Sequence, residues 1–274
     1  MSTSTISLSS SVSKNLSYLQ RIQSDMDSTS FRLSTGKKVN SALDDPIAYF
    51  SAQNATQRAS DLQSCKDSMS QGIETINAAD TGIESITDLL KSAKSIANSA
   101  LSAEDAAELA DYITQFNDIM AQIDTMAADS DYDGVNLLNG DTLTITFDET
   151  GNSTISIAGF TATSTGLGIT AVDAATGWTT STAIQASITE INDAISTLRT
   201  ESKTLSSDLN TVQTRQDYTT NLITLLKEGA GNLVNADTNE ESVNLTTLET
   251  QQQLALTSLS IANSVNQNVL TLFS

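Results

Sequence analysis

IQASITEINDAISTLRTESKTLSSDLNTV, residues 184–212, is the stretch that decides the fold. Ile184, Ile188, Ile191, Ile195, Leu198, Leu205, Leu209 and Val212 follow alternating steps of four and three, and Ile223 and Leu226 continue the series. Ser202, Gln216 and Thr219 put polar groups at seam positions of the same run. A 4-3 stripe sustained this far predicts a single helix about 65 Å long, at about 1.5 Å per residue, with a coiled-coil seam. Such a helix exceeds the globular norm and needs long partners.

The partners are legible on either side. Leu62, Met69, Ile76, Ile83, Leu90 and Ala97 recur every seven residues, with Cys65, Gly72, Ala79, Ile86, Ala93 and Ala100 as a second, mostly small row that lets helices approach closely. Leu109, Ile113, Phe116, Met120, Ile123 and Ala127 make a shorter 4-3 helix. Near the C-terminus Leu245, Leu248, Leu256, Leu259 and Leu270 fall on one stripe, with eleven residues between Leu248, Leu259 and Leu270, and Leu254, Ile261, Val265 and Leu272 form another. Two stripes mean a helix covered on more than one side. Only the centre changes period. Leu143, Ile145 and Phe147 alternate with threonines, Asp148 to Asn152 supply turn residues, and Ile155 and Ile157 alternate again, which reads as a β-hairpin. The Gly-, Ser- and Thr-rich segment that follows, to about Thr182, reads as a surface loop. The expected fold is mainly α: long antiparallel coiled-coil helices, paired N- and C-terminal helices and a small central β-hairpin insert. Its parts are 1–40 paired with 236–274, 41–140 with 183–235, and the insert 141–182.

Charge divides the chain in the same way. There is no charged residue before Lys14 or after Glu249, whereas Ser95 to Leu198 carries fifteen Asp or Glu and no Lys or Arg. The ends read as buried and the middle as solvated. Ends that must be covered, in a chain too short to cover them itself, are most simply covered by copies of the same chain. In a helical polymer each residue meets its own copies at equal radius, so a charge in the packed centre would be desolvated beside its replicas. Uncharged Ser, Thr, Asn and Gln among Leu and Val avoid that cost.

Composition excludes much else. The 274 residues hold no histidine, one proline, one cysteine and 4% aromatics. The commonest general base and metal ligand is therefore absent, and an intramolecular disulfide is impossible. A net charge of −20 disfavours nucleic acid or an anionic membrane as partner. No apolar run reaches a membrane span, since Asn263, Asn266, Gln267 and Asn268 interrupt the best one, and no cleavable signal peptide is visible. Asp129, Asp131, Asp133 and Gly134 match the opening of a calcium loop, but its closing glutamate position is Gly140. Cys65 sits in the small-residue row as an apolar filler. Gly36, Lys37 and Lys38 lack the spacing of a phosphate loop. Acidic pairs such as Glu104 with Asp105 and Glu240 with Glu241 read as solvated helix faces. No catalytic residue, cofactor or metal site is expected.

One stretch is specific enough to name a family. Arg32-Leu33-Ser34-Thr35-Gly36 followed by Asn40-Ser41-Ala42, then Asp44-Asp45-Pro46, closely resembles the N-terminal signature of bacterial flagellins, an Arg-Leu-Ser-x-Gly turn with Asn-Ser-Ala-x-Asp-Asp after it. Asp133-Gly134-Val135-Asn136-Leu137-Leu138 is similar to the family's Asn-Gly-Val-x-Leu-Leu turn, with Asp in the first place. The closing Gln267-Asn268-Val269-Leu270 with Leu272 resembles the Asn-Val-Leu-x-Leu end of flagellins. The resemblance covers about residues 1 to 140 and 184 to 274, and is to the short flagellins of α-proteobacteria. Leu90 to Ile96 departs from the Arg-Glu-Leu motif by which some flagellins activate an innate immune receptor, with Ala93, Lys94 and Ser95 in those places.

The resemblance implies a structural subunit of the flagellar filament, exported unfolded through the type III apparatus and self-assembling outside the cell into a helical homopolymer that serves motility. A hook-filament junction (hook-associated) protein or a secreted acidic coiled-coil protein are the alternatives. Its partners would be itself, other flagellins, the filament cap and hook-associated proteins and an export chaperone, with no nucleic acid and no membrane insertion. The expected polymerisation interface is Leu8, Val12, Leu16, Leu19, Ile22 and Met26 at one end of the chain. At the other end it comprises Leu254, Leu259, Ile261, Val265, Val269, Leu270 and Leu272. Arg32, Leu33, Ser34, Gly36, Asn40, Asp44, Asp45 and Pro46 are the expected junction turn, with Asn40 and Asp44 capping the next helix and Pro46 in its first turn. Replacing residues 142–180 by a short turn is expected to leave assembly intact.

Overall fold

The computed structural model describes residues 10–174 and 176–272, with the backbone alone for residues 10, 11, 266 and 269–272. Five helices and one hairpin follow in chain order: α1 Ser10–Thr35, α2 Pro46–Ala100, α3 Ala106–Asp129, β1 Thr142–Thr146, β2 Thr154–Ala158, α4 Ser181–Val234 and α5 Thr238–Leu272. The helices break where the turn chemistry lies, between Thr35 and Pro46 and again between Val234 and Thr238. Of the described residues, those up to Gln57 join those from Leu225 onward in one compact unit, and Arg58–Thr224 form the other.

In the Arg58–Thr224 unit the seven-residue rows do what their spacing predicts. Met69, Ile76, Ile83, Leu90 and Ala97 are buried on α2, as are Ile184, Ile188, Ile191, Ile195, Leu198, Leu205 and Val212 on α4. Two of the polar seam positions, Ser202 and Gln216, are satisfied across the pair. Ser202 Oγ donates to Asp80 Oδ1 at 2.8 Å and Gln216 Nε2 to Ser70 Oγ at 2.7 Å, while Lys94 Nζ donates to Asn192 Oδ1 at 2.7 Å. Partners ascend on α2 as they descend on α4, so the two helices are antiparallel. The α3 stripe of Ile113, Phe116, Met120, Ile123 and Ala127 closes on the same core. Its helix starts on an Asp105 cap, whose Oδ1 accepts the Ala107 and Glu108 amides at 3.0 and 2.8 Å.

The hairpin pairs Thr142 with Ala158 and Thr146 with Thr154 in antiparallel register. Its buried face is Leu143, Ile145 and Ile157. A glycine on α2 makes room for it, because a side chain at Gly72 would collide with Ile145. Two cations of the long helices hold the tip: Arg58 Nε lies 2.6 Å from Glu149 Oε1, and the Arg215 guanidinium lies over the Phe147 ring, 5.4 Å from its centroid. Asp148 closes the turn by accepting the Thr150 hydroxyl and the Ser153 amide, and those bonds hold its carboxyl below the usual range.

The segment after the hairpin is where the structure corrects the sequence. Residues 159–180 read as a solvated loop, yet Ala162, Leu167, Ile169, Val172 and Trp178 are buried in the helical core. Trp178 packs against Phe116 with ring centroids 5.0 Å apart and donates Nε1–H to Ser187 Oγ at 3.1 Å. Helix side chains satisfy the loop's backbone. Asn117 exchanges two bonds with the Val172 peptide groups, Asp124 accepts the Ser164 amide and Glu190 accepts the Thr170 amide. These apolar residues have no regular period, so pattern matching passes over them, and their partners are distant in sequence. The central acids are likewise not all solvated spectators, since Asp105, Asp124, Asp141 and Glu190 accept backbone amides.

Candidate assembly surfaces

α1 and α5 run antiparallel. Asn15 Nδ2 donates to Ser258 Oγ at 3.4 Å, Gln252 Nε2 to Gln23 Oε1 at 2.9 Å, and Arg32 lies 3.7 Å from Glu241 near the other end of the pair. Val12, Ile22 and Thr29 are buried and Asn15, Leu19, Met26 and Leu33 half-buried, one 3-4 row along α1. On α5, Glu241 and Ala255 are buried and Leu245, Leu248, Gln252, Leu259 and Ala262 half-buried, the matching row. One stripe of each helix thus closes within the chain. Its mixed composition, with Thr29, Asn15 and Gln252 among aliphatics, resembles a polar-tolerant coiled-coil seam more than a globular core.

The second α5 stripe has no cover. Leu254, Ile261 and Val265 are 54–66% exposed, and Val243 stands on the same face, while Leu16, Tyr18 and Phe31 are exposed on α1. The residues expected at the polymerisation interface therefore separate. Val12, Leu19, Ile22, Met26 and Leu259 lie on the rows closed between α1 and α5, and Leu16, Leu254, Ile261 and Val265 face solvent. Leu8 lies outside the described residues, as do the side chains of Val269, Leu270 and Leu272, whose backbone continues α5.

The junction is built from hydrogen bonds. Ser34 Oγ donates to the Phe31 carbonyl at 2.9 Å as α1 ends, and Gly36 then takes φ +68°, a left-handed turn that a β-carbon disfavours. Lys38 and Val39 amides donate to the Val234 carbonyl at 2.8 and 3.2 Å and the Ala236 amide to the Gly36 carbonyl at 2.9 Å, so the two interhelical turns zip together. Arg32 meets Glu241 just before that zipper. Asn40 Nδ2 donates to the Lys37 carbonyl at 3.0 Å. Asp44 does not cap α2, as expected from its position, but folds back: its Oδ2 accepts the Asn40 and Ser41 amides, each at 2.9 Å, and the Ser41 hydroxyl. The amides of Asn40 and Ser41, aided by that hydroxyl and the Arg32 charge, hold the Asp44 carboxyl below the usual aspartate range. The cap is Asp45, whose Oδ1 accepts the Ala48 amide at 3.0 Å, with Pro46 as first helical residue.

Leu43, Ile47, Phe50 and Leu225 are also exposed, off the buried row that runs through Ala52, Ala59 and Leu62. Their signal in the sequence is a 4-3 step from Leu43 to Ile47 to Phe50. Asp133, at φ +52°, and Gly134, at φ +77°, form a tight turn in which the Tyr132 and Val135 amides each donate to the other's carbonyl. Among the described residues no three His, Cys, Asp or Glu are grouped to hold a metal, and no helix is long and apolar enough to cross a membrane. Cys65 is half-buried, and burial, with the charges of Glu149 and Asp148 nearby, pushes its thiol pKa up.

Comparison with known proteins covers both ends of the chain. Residues 6–142 match the model of the bacterial flagellin N-terminal helical region, and residues 182–273 that of the bacterial flagellin C-terminal helical region. Flagellin FljO of Caulobacter vibrioides is 31% identical over 263 residues, 94% of each chain. Flagellin FljN of the same organism is 32% identical over 264 residues, again 94% of each. A flagellin of Brucella melitensis is 29% identical over 278 residues, covering 95% of this chain and 97% of its own.

Proposed function

Because this chain belongs to the bacterial flagellin family, it is a structural subunit of the flagellar filament, exported to build that extracellular polymer, and we propose that α1 and α5 join its copies. One stripe of each helix closes within the chain, and the other, with Leu16, Leu254, Ile261 and Val265, closes between copies in a helical homopolymer. The observation that carries this is the bare second stripe of α5, in a helix without a charge after Glu249. In this arrangement α1 and α5 line the inner part of the polymer, and the hydrogen-bonded turn from Gly36 to Asp45 ties the two helices together at one end.

The same stripe suggests the other partners. An export chaperone would shield it before assembly. The filament cap and hook-associated proteins would meet it at the two ends of the polymer, and other flagellins along its length. Covering three side chains that are more than half exposed is worth roughly 1 to 2 kcal/mol each. Leu254→Ser, Ile261→Ser and Val265→Ser together should therefore raise the critical concentration for assembly by about 10² to 10⁴. Sedimentation of purified chain over a concentration series reads this directly. Assembly of the triple variant at wild-type concentration would remove α5 from the interface.

A further inference from the structure

We propose that Leu43, Ile47 and Phe50 form a second copy-to-copy contact, separate from the α1 and α5 stripes, in which the start of α2 docks on a neighbouring copy of this chain. The three side chains are 96%, 80% and 53% exposed. Ile47 and Phe50, three apart in α2, share a face of that helix, and Leu43 stands in the turn just before it. Leu43 stands on the turn closed by Asp44, whose carboxylate accepts the Asn40 and Ser41 amides. Ile47 lies in the first turn of a helix capped by Asp45. The Phe50 ring meets Tyr49 edge to face at 5.5 Å between centroids. A hydrogen-bonded turn that presents an almost wholly exposed leucine is arranged for contact, because its backbone loses little further freedom when the side chains are covered.

The occupant is a second copy, an identification that rests on the filament reading. The chain's own undescribed N-terminal residues do not supply the cover. Ser10 lies some 37 Å along α1 from Thr35 at about 1.5 Å per residue, and nine residues span at most about 32 Å when fully extended. A net charge of −20 opposes docking on an anionic membrane. In a filament, by contrast, every subunit has copies packed around it at fixed positions, so an apolar ridge repeated on each one is covered throughout.

The test is the full-length chain carrying Leu43→Gln, Ile47→Gln and Phe50→Gln. These residues are exposed in the single chain, so its thermal melting as a monomer stays at the wild-type temperature. Its critical concentration for assembly rises at least about thirtyfold, from the loss of three apolar contacts. A second variant, Leu43→Met, Ile47→Met and Phe50→Leu, retains apolar character and assembles within a fewfold of wild type. Hydroxyl-radical footprinting of the wild-type chain shows labelling of Leu43, Ile47 and Phe50 falling severalfold from monomer to filament. Assembly of the glutamine variant at wild-type concentration overturns the contact, and so does unchanged labelling. If the α5 serine variant fails to assemble in the same assay, the terminal-helix interface stands and only the ridge is lost. If both variants assemble normally, both interfaces fall.

Discussion

Trp178→Ala is the sharpest test of how the acidic centre is organised, because this residue lies in the segment whose composition resembles a surface loop. The indole is 2% exposed, stacks near Phe116 and donates to the Ser187 hydroxyl. It is the only tryptophan in the chain. Burying an aromatic of ~200 Å² at ~25 cal/mol per Å² contributes about 5 kcal/mol. Truncations of Phe or Trp to Ala in cores cost roughly 3 to 5 kcal/mol, and leaving the Ser187 hydroxyl without its donor adds about 1 kcal/mol at most. Taken together these give about 4 kcal/mol for the unit Arg58–Thr224, which corresponds to a fall in melting temperature of roughly 8 to 16 °C for a domain of this size class. Trp178→Phe, which keeps the ring packing and loses the N–H, should cost about 1 to 2 kcal/mol. Urea unfolding of the monomer followed by circular dichroism measures both, and wild-type tryptophan emission should be blue-shifted and shielded from soluble quenchers. A loss below about 1 kcal/mol in the alanine variant would mean that residues 159–180 do not pack on the helices. The same packing predicts that exchanging 142–180 for a short turn uncovers the core, contrary to the expectation from composition.

Two further perturbations separate effects that look alike in sequence. Gly72→Val should destabilise by about 1 to 3 kcal/mol, because the new side chain meets buried Ile145, whereas Gly229→Ala, with open space around it, should stabilise by roughly 0.4 to 1 kcal/mol; paired thermal melts check the opposite signs. Asp44 is ionised in the turn with a carboxyl held below its ordinary value, chiefly by the Asn40 and Ser41 amides. Its contribution is complete above the unfolded aspartate value of about 3.9 and is lost as pH falls through the lower folded value. An NMR titration should show the Asn40 and Ser41 amide shifts moving with a common midpoint below about 3.9, and a midpoint at or above it would contradict the turn.

Periodicity carried most of the architecture. The 4-3 run from Ile184 to Leu226 and the seven-residue rows of Leu62 to Ala97 depend on which residues share a helical face, and a face is a property of spacing alone. The hairpin was equally legible, since Leu143, Ile145 and Ile157 alternate and the tip is rich in turn residues. The Arg32 to Pro46 signature named the junction, although composition could not assign its roles. Asp44 and Asp45 are identical neighbours, and only the direction of the backbone made one a turn lock and the other a helix cap.

What only the tertiary structure decided follows from contacts between residues far apart in the chain. Whether Trp178, Leu167 and Ile169 face water or the core depends on Asn117, Asp124 and Glu190 satisfying the loop's backbone, and no local pattern encodes those partners. The two stripes of α5 are indistinguishable by hydrophobicity. The docking of α1 against one of them turned Ala255 inward and left Leu254 and Ile261 bare. The sequence by itself determined which residues are apolar and which share a face; the fold determined which of those faces a single chain can close. The physical reason is that burial is a relation between two surfaces, and spacing along one helix specifies only its own.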